Sequence, residues 1–393
     1  MCYNNSKMVI NTNPQCHWDR IRSPAGEIYR QGRANMKKDF IDFNDMSMEE
    51  WDRLYALCED IIEHKDRYKR VCEGKILATP FFEPSTRTFF SFQSAMIRLG
   101  GNYIEFADCS TSSVSKGENL KDTIKTIANY ADIIAMRHPV EGAATAAALY
   151  SKIPVINAGD GGHLHPTQTL TDLVTIKRKK GTLSGFKIGI CGDLLNGRTV
   201  HSLIKALSRF KNNEFILIST KELRVPSYIA DFLNKHNQKF KEVYSLDDCI
   251  SELDILYMTR IQRERFSSIE EYNRQANVYK LDTNKLSRAR KDLIVMHPLP
   301  KVDEITYDAD EDKRCIYFEQ AEYGMYIRMA LIMTLIENNE MKKGEPVGPF
   351  MKGKNKCSNE KCITVKEPYL DSLVKVSEGG KTLCAYCDHE IVE

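Results

Sequence analysis

No apolar run in these 393 residues approaches the roughly 18 needed to cross a bilayer. The chain does not open on a basic stretch followed by an apolar one, so a secretory signal is not indicated. A surplus of one charge is lacking too. The 56 basic residues stand against 54 acidic ones, a formal net charge of +2, which leaves no broad electrostatic footprint for nucleic acid or an anionic membrane surface. Any anion must therefore be held locally. What remains is the composition of a globular protein, 42% hydrophobic and 28% charged. Cysteine is unevenly spread. Cys2, Cys16, Cys58, Cys72, Cys109, Cys191, Cys249 and Cys315 are scattered singly, as thiols of a cytoplasmic protein are, while four others crowd near the C-terminus.

Residues 1–35 are polar without periodicity and read either as a disordered leader or as the product of a start assigned too early, with Met36 as the alternative start. The first element is expected at Ser47-Met48-Glu49-Glu50, which has capping-box spacing, with Trp51, Leu54, Tyr55, Cys58, Ile61 and Ile62 following at helical intervals. Short apolar runs then alternate with helical stretches. Strands are expected at 76–80, 103–106, 133–136 and 155–158, and in a second series at 187–191, 215–219, 255–259 and 293–297. Helices are expected at 88–99, 119–130, 200–210 and about 321–338. Such alternation predicts an α/β chain of two doubly wound parallel-sheet domains. Their expected extents are 36–166, completed by the C-terminal helix at about 319–340, and 167–318. A linker at 341–356, with Gly, Pro and Lys, leads to a small module at 357–393.

Ligands of open α/β sheets bind outside the carboxyl ends of the strands, and the distinctive polar residues fall there. Ser85-Thr86-Arg87-Thr88 lies between a strand and a helix. A helix N-terminus offers free N–H groups and a positive dipole end, the hydroxyls add donors, and Arg87 adds a planar fork suited to phosphate. The plainer reading of that run is a helix cap followed by an exposed arginine. Met136-Arg137-His138-Pro139 also ends a strand; alone it is weak. His163-Leu164-His165-Pro166-Thr167-Gln168 has two histidines at metal-like spacing, but Pro166 marks a helix start and no third ligand is near in sequence, so a polarising imidazole fits better. Gly192-Asp193-Leu194-Leu195-Asn196-Gly197-Arg198-Thr199 matches neither dinucleotide nor P-loop fingerprint. Tyr257-Met258-Thr259-Arg260-Ile261-Gln262 and His297-Pro298-Leu299-Pro300 complete the set.

Cys357-x4-Cys362-x21-Cys384-x2-Cys387 has the spacing of two thiolate knuckles closing one tetrahedral zinc site. Four cysteines leave no open position, so the metal would be structural. Lys354, Lys356 and Lys361 would offset part of its negative charge.

The order of these motifs over residues 36–340 resembles the catalytic chains of the aspartate carbamoyltransferase family. His-Pro-Leu-Pro sets it apart from the ornithine enzymes, which typically carry His-Cys-Leu-Pro and an Asp-containing Ser-Met-Gly motif. The resemblance implies transfer of a carbamoyl group from carbamoyl phosphate to L-aspartate in pyrimidine biosynthesis, without an organic cofactor. It implies that Ser85, Thr86, Arg87 and Thr88 hold the phosphate, that Arg137 reaches carbonyl and phosphate, and that His165 and Gln168 address the carbamoyl end. Arg87, Thr88, Arg137 and His165 would be catalytic. Arg198, Arg260 and Gln262 would hold the aspartate, with Leu299 and Pro300. The family builds homotrimers in which a neighbouring subunit lends a loop to each site; here that loop is 112–118, supplying Ser113 and Lys116 to carbamoyl phosphate and Lys116 also to aspartate. The cysteine tail is similar to the zinc domain of the family's regulatory chain, without the nucleotide-binding domain that accompanies it there. A carbamoyltransferase with another amino-acid acceptor, a zinc-ribbon nucleic-acid binder on an inactive enzyme, and a purely structural subunit are the competing readings.

Overall fold

The computed structural model describes residues 39–106, 113–261, 266, 268–276, 278–338, 350–377 and 379–391. The expected leader, Ser112, Gln262 and most of the expected linker lie outside them. The first helix, α1 (Met48–Glu63), starts on the predicted capping box: Ser47 Oγ accepts from Glu50 N at 3.1 Å and the Glu50 carboxylate accepts from Ser47 N at 2.6 Å. Its buried face carries Trp51, Leu54, Leu57, Cys58 and Ile61.

Next come β1 (Ile76–Thr79), α2 (Thr86–Arg98), β2 (Asn102–Glu105), α3 (Leu120–Ile127), β3 (Ile133–His138), α4 (Ala143–Tyr150) and β4 (Val155–Asp160). They form a parallel sheet in the order β2-β1-β3-β4. The chain runs outward from β1 to β2 and returns to the far side of β1, so the switch point lies between β1 and β3.

The helix α5 (Pro166–Lys180) carries the chain into the second unit. This comprises β5 (Lys187–Cys191), α6 (Arg198–Leu207), β6 (Glu214–Ile218), α7 (Ser227–Lys235), β7 (Lys239–Val243), β8 (Ile255–Met258), α8 (Ile269–Ala276), α9 (Thr283–Arg288) and β9 (Ile294–Met296). Its parallel sheet is ordered β7-β6-β5-β8-β9, with the switch point between β5 and β8. The long α10 (Tyr317–Asn338) turns back onto α1, α2 and α5. One apolar cluster runs from Trp51 through Leu170 and Val174 of α5 and Ile327 and Leu331 of α10 to Ile188 and Phe215, so the seam between the two sheets is packed.

The C-terminal module is an antiparallel sheet of β10 (Met351–Lys352), β11 (Leu373–Val376) and β12 (Thr382–Cys384), with the short α11 (Ile363–Lys366). The expected linker is therefore shorter than 341–356, because β10 pairs with β11 and belongs to the module. Two strands run further than expected, β3 to His138 and β4 to Asp160, since their last residues are polar and carry no apolar signal. The pattern also missed β7, an edge strand of sequence Lys-Phe-Lys-Glu-Val that is largely open to solvent.

Candidate active site

Both switch points open into one cavity of about 430 Å³ between the two sheets. Pro84, Ser85, Arg87, Thr88 and Ser91 reach it from the start of α2, and Arg137 from the end of β3. His165 and Gln168 enter at the head of α5, Arg198 and Thr199 at the head of α6, Thr259 and Arg260 after β8, and His297 to Pro300 after β9. Ser85 precedes α2 with a non-helical backbone and makes no side-chain cap bond, which leaves the first N–H groups of the helix for a ligand.

Among the described residues, the cavity wall carries five arginines, Arg87, Arg137, Arg198, Arg260 and Arg328, against one aspartate, Asp193. An excess of that kind needs an anionic ligand. Burial, with the Arg260 guanidinium across the cavity, pushes Arg87 below its ordinary pKa. Burial and the Arg198 charge push Arg137 down to about 10, against the opposing pull of Glu83. Glu83 Oε1 lies 2.7 Å from Arg137 Nε and 3.7 Å from Arg198 Nη2. Arg198 Nη1 also donates to the Gly161 carbonyl. Gly159, at φ +126°, keeps this crossing open: a Cβ there would sit 3.2 Å from Arg137 Nη1.

His165 is the residue before α5, with Pro166 at the first helical position. Its Nε2 lies 3.4 Å from Arg137 Nη1. Burial, then Arg137, Arg198 and Arg328, hold it well below the usual histidine range, so the ring is neutral and keeps one N–H to give. Gln168 Nε2 donates to Asp172 Oδ1 at 2.8 Å. Because a carboxylate only accepts, the Gln168 carbonyl oxygen is the end left for the cavity, where it suits an N–H of the ligand.

Several residues of the site were not singled out in the sequence. Asp172 is fully buried and accepts from Gln168, from Gln320 Nε2 at 2.6 Å and from Tyr257 Oη at 3.0 Å; burial pushes it up to about 7 against these donors. Arg328, buried on α10, donates to Ser91 Oγ at 3.1 Å and Thr167 Oγ1 at 3.3 Å, with burial lowering it to about 10. A lone arginine inside the apolar run of α10 was its one visible signal. His297 accepts from Leu299 N at Nδ1 (2.8 Å) and donates from Nε2 to Glu304 (2.7 Å), which pins Leu299 at φ +56°, an uncommon conformation for leucine.

Not every expected residue joins the cavity. Thr86 is exposed as the first residue of α2 and is not part of the wall. Ser113 borders a separate, largely apolar cavity near β2, and Lys116 is exposed away from the site. Gln262 lies outside the described residues.

The four cysteines of the module are buried, and their Sγ atoms all lie within 4.8 Å of one another. Two separations, Cys357–Cys387 at 3.6 Å and Cys362–Cys384 at 3.8 Å, match the edge of about 3.8 Å expected for a tetrahedron with bonds of about 2.3 Å. The donor set therefore fits a closed metal site. The module is seated on the first sheet's helices. Glu141 pairs with Cys362 through backbone bonds, Glu367 caps Leu120 N at 3.1 Å, and the backbone of Tyr386 lies on Gly142, where a Cβ would come within 2.6 Å of the Tyr386 Cβ.

Three family models match the chain. The carbamoyl-phosphate-binding domain of aspartate/ornithine carbamoyltransferase covers residues 38–178, and the aspartate/ornithine-binding domain covers 184–335. The metal-binding domain of the aspartate carbamoyltransferase regulatory chain covers 351–393. Fold and site thus define a carbamoyltransferase. Within that class, the aspartate carbamoyltransferase catalytic subunit of Clostridium perfringens is 60% identical over 300 residues, 76% of this chain and 98% of its own length. That of Clostridium novyi is 58% identical over 299 residues, with the same coverage. The catalytic subunit of the M. jannaschii enzyme superposes with a TM-score of 0.73 at 49% identity, covering 77% of this chain and 99% of that one. The Trypanosoma cruzi enzyme in complex with carbamoyl phosphate and aspartate superposes at 0.71 and 35% identity, covering 75% and 96%. The chain belongs to the aspartate carbamoyltransferase family and is a transferase that moves a carbamoyl group from carbamoyl phosphate to L-aspartate, a step of pyrimidine biosynthesis.

Proposed function

We propose that carbamoyl phosphate lies at the β1/β3 switch point and L-aspartate at the β5/β8 switch point, and that the amine attacks the carbamoyl carbon directly. The convergence of five arginines and a free helix N-terminus on one cavity carries this reading. Ser85, Arg87 and Thr88 take the phosphate, with Thr86, whose side chain stands outside the wall, offering its backbone N–H at the start of α2. Arg137 and the neutral His165 face the carbonyl oxygen, where losing one donor typically costs about 2.7–4 kcal/mol of barrier. The Gln168 carbonyl accepts from the carbamoyl NH2. Arg198, Arg260 and Gln262 take the aspartate carboxylates, with Leu299 and Pro300 walling that end.

As the C–N bond forms, the C–O bond to phosphate breaks, and the departing phosphate takes the proton that the amine gives up. No protein nucleophile is needed, because aligning two reactants is worth up to about 7–11 kcal/mol. Ser113 and Lys116 serve a neighbouring subunit's site in a homotrimer, in keeping with their place away from the cavity of their own chain. Zn²⁺ suits the four thiolates and plays a structural part. The buried single thiols Cys58, Cys72 and Cys191 suit a reducing cytoplasm. A carbamoyl-transfer assay offering aspartate beside ornithine tests the whole reading: turnover with aspartate alone is expected, and turnover with ornithine would overturn the acceptor assignment.

A further inference from the structure

The turn from Asp160 to His165 has three separate attachments. Its Gly161 carbonyl holds Arg198, and its last residue, His165, lines the cavity. Between them His163 turns the other way, toward the cysteine module. His163 Nδ1 lies 3.2 Å from Asp160 Oδ2, and its Nε2 lies 3.3 Å from Asp388 Oδ2. Both partners are carboxylates, which only accept, so both ring nitrogens face them as donors.

Each end of this tie is fastened. Asp160 is fully buried and accepts from Gly142 N at 2.8 Å, Leu164 N at 3.1 Å and Asn157 Nδ2 at 3.1 Å. Asp388 follows Cys387, takes φ +61° at the end of the knuckle, donates its N–H to Cys384 O at 3.0 Å and pairs with Lys375 at 2.5 Å. Among the described residues, none that lines the cavity belongs to the module. One direct side-chain route from the module to the site therefore runs through this turn.

We propose that His163 is a positioning residue through which the seated cysteine module fixes the turn that carries Gly161 and His165, and so sets the geometry of a cavity it does not line. The inference rests on the reading of that cavity as the carbamoyl-transfer site. A displacement of about 1 Å in such a site costs up to about 10²-fold in rate, so one tie at the edge of the turn has leverage on turnover.

The full-length chain is tested as His163→Ala, His163→Gln, Asp388→Gly and the double variant His163→Ala/Asp388→Gly, with His165→Ala alongside. Glycine suits the positive φ at 388 and removes only the carboxylate. Each variant is scored by kcat, by calorimetric binding of carbamoyl phosphate, by metal content and by melting temperature. For His163→Ala and Asp388→Gly, kcat falls at least about tenfold while carbamoyl phosphate affinity stays within about threefold and metal content is unchanged. His163→Gln, which keeps one donor, falls between. The double variant is no slower than the slower single, since both cut the same tie. Normal kcat in His163→Ala with His165→Ala inactive overturns this proposal alone. Normal kcat in His165→Ala overturns the site reading beneath it. If His163→Ala does not fold, Asp388→Gly decides: kcat within twofold of the parent sinks the proposal.

Discussion

The Glu83 carboxylate, in the loop between β1 and α2, lies 3.7 Å from the Arg198 guanidinium that opens α6 in the other sheet. The same oxygen lies 2.7 Å from Arg137 Nε. One acidic group thus stands between two cations that line the cavity from opposite domains. Removing its charge leaves Arg137 and Arg198 to repel each other beside Arg87. Glu83→Gln is expected to lower kcat about 10- to 100-fold and to raise the KM for aspartate, with the fold intact. Steady-state kinetics with both substrates checks this, and unchanged constants would remove Glu83 from the site's electrostatics.

Arg87 contributes the only guanidinium on α2 that faces the cavity, beside the helix N-terminus. Arg87→Ala should cost about 10²–10³-fold in kcat while melting normally. Lys116→Ala should be similarly impaired, although Lys116 is exposed away from its own cavity. If sites are shared between subunits, mixing and reassembling the two inactive proteins regenerates some intact sites. Recovery of activity in the mixture is the expected outcome, and a mixture as inactive as its parts would place Lys116 outside the chemistry.

What the sequence showed depends on how each residue is held. Arg87, Arg137, Arg198 and Arg260 were legible because each stands at or just beyond the end of a strand in its own motif, and strand ends are where open sheets bind ligands. Asp172 and Arg328 were not. Asp172 reads as one polar residue on a helix, and its meaning lies in Gln168, Gln320 and Tyr257, which come from three segments. His163 was read with His165 as a pair, yet the two rings part. Spacing could not show that the turn sends one toward the cavity and the other toward Asp388. The seat of the cysteine module was hidden for the same reason, since Glu141, Gly142 and Leu120 carry no pattern of their own.

The module's own core is small, and its cysteines are packed into the same apolar cluster as α3 and α4. Metal binding should therefore be folding free energy for this region. One zinc per chain is expected by elemental analysis. A strong chelator should lower the melting temperature and open the chain to protease near residue 350, and Cys387→Ser should do the same. Metal-free protein with an unchanged melting temperature would refute the structural role.

Two histidines outside the chemistry, His201 buried and His138 half-buried, make stability depend on pH. His138 is held to about 4, by burial first, and its Nδ1 accepts from Val140 N at 3.1 Å. His201 is also held to about 4 by burial; its Nε2 donates to Leu194 O at 2.7 Å and its Nδ1 accepts from Tyr228 Oη at 2.8 Å. Both folded values lie below the 6.5 of a free histidine. Between pH 4 and 6.5 the unfolded chain thus binds more protons than the folded one. Stability is full above that window and falls as pH drops through it, by up to about 1.4 kcal/mol per pH unit for each ring. His201→Gln keeps a donor for Leu194 O and cannot titrate. Urea midpoints at pH 7.5, 6 and 5 should fall less steeply for this variant than for the parent, and parallel slopes would show that His201 is not held neutral by the fold.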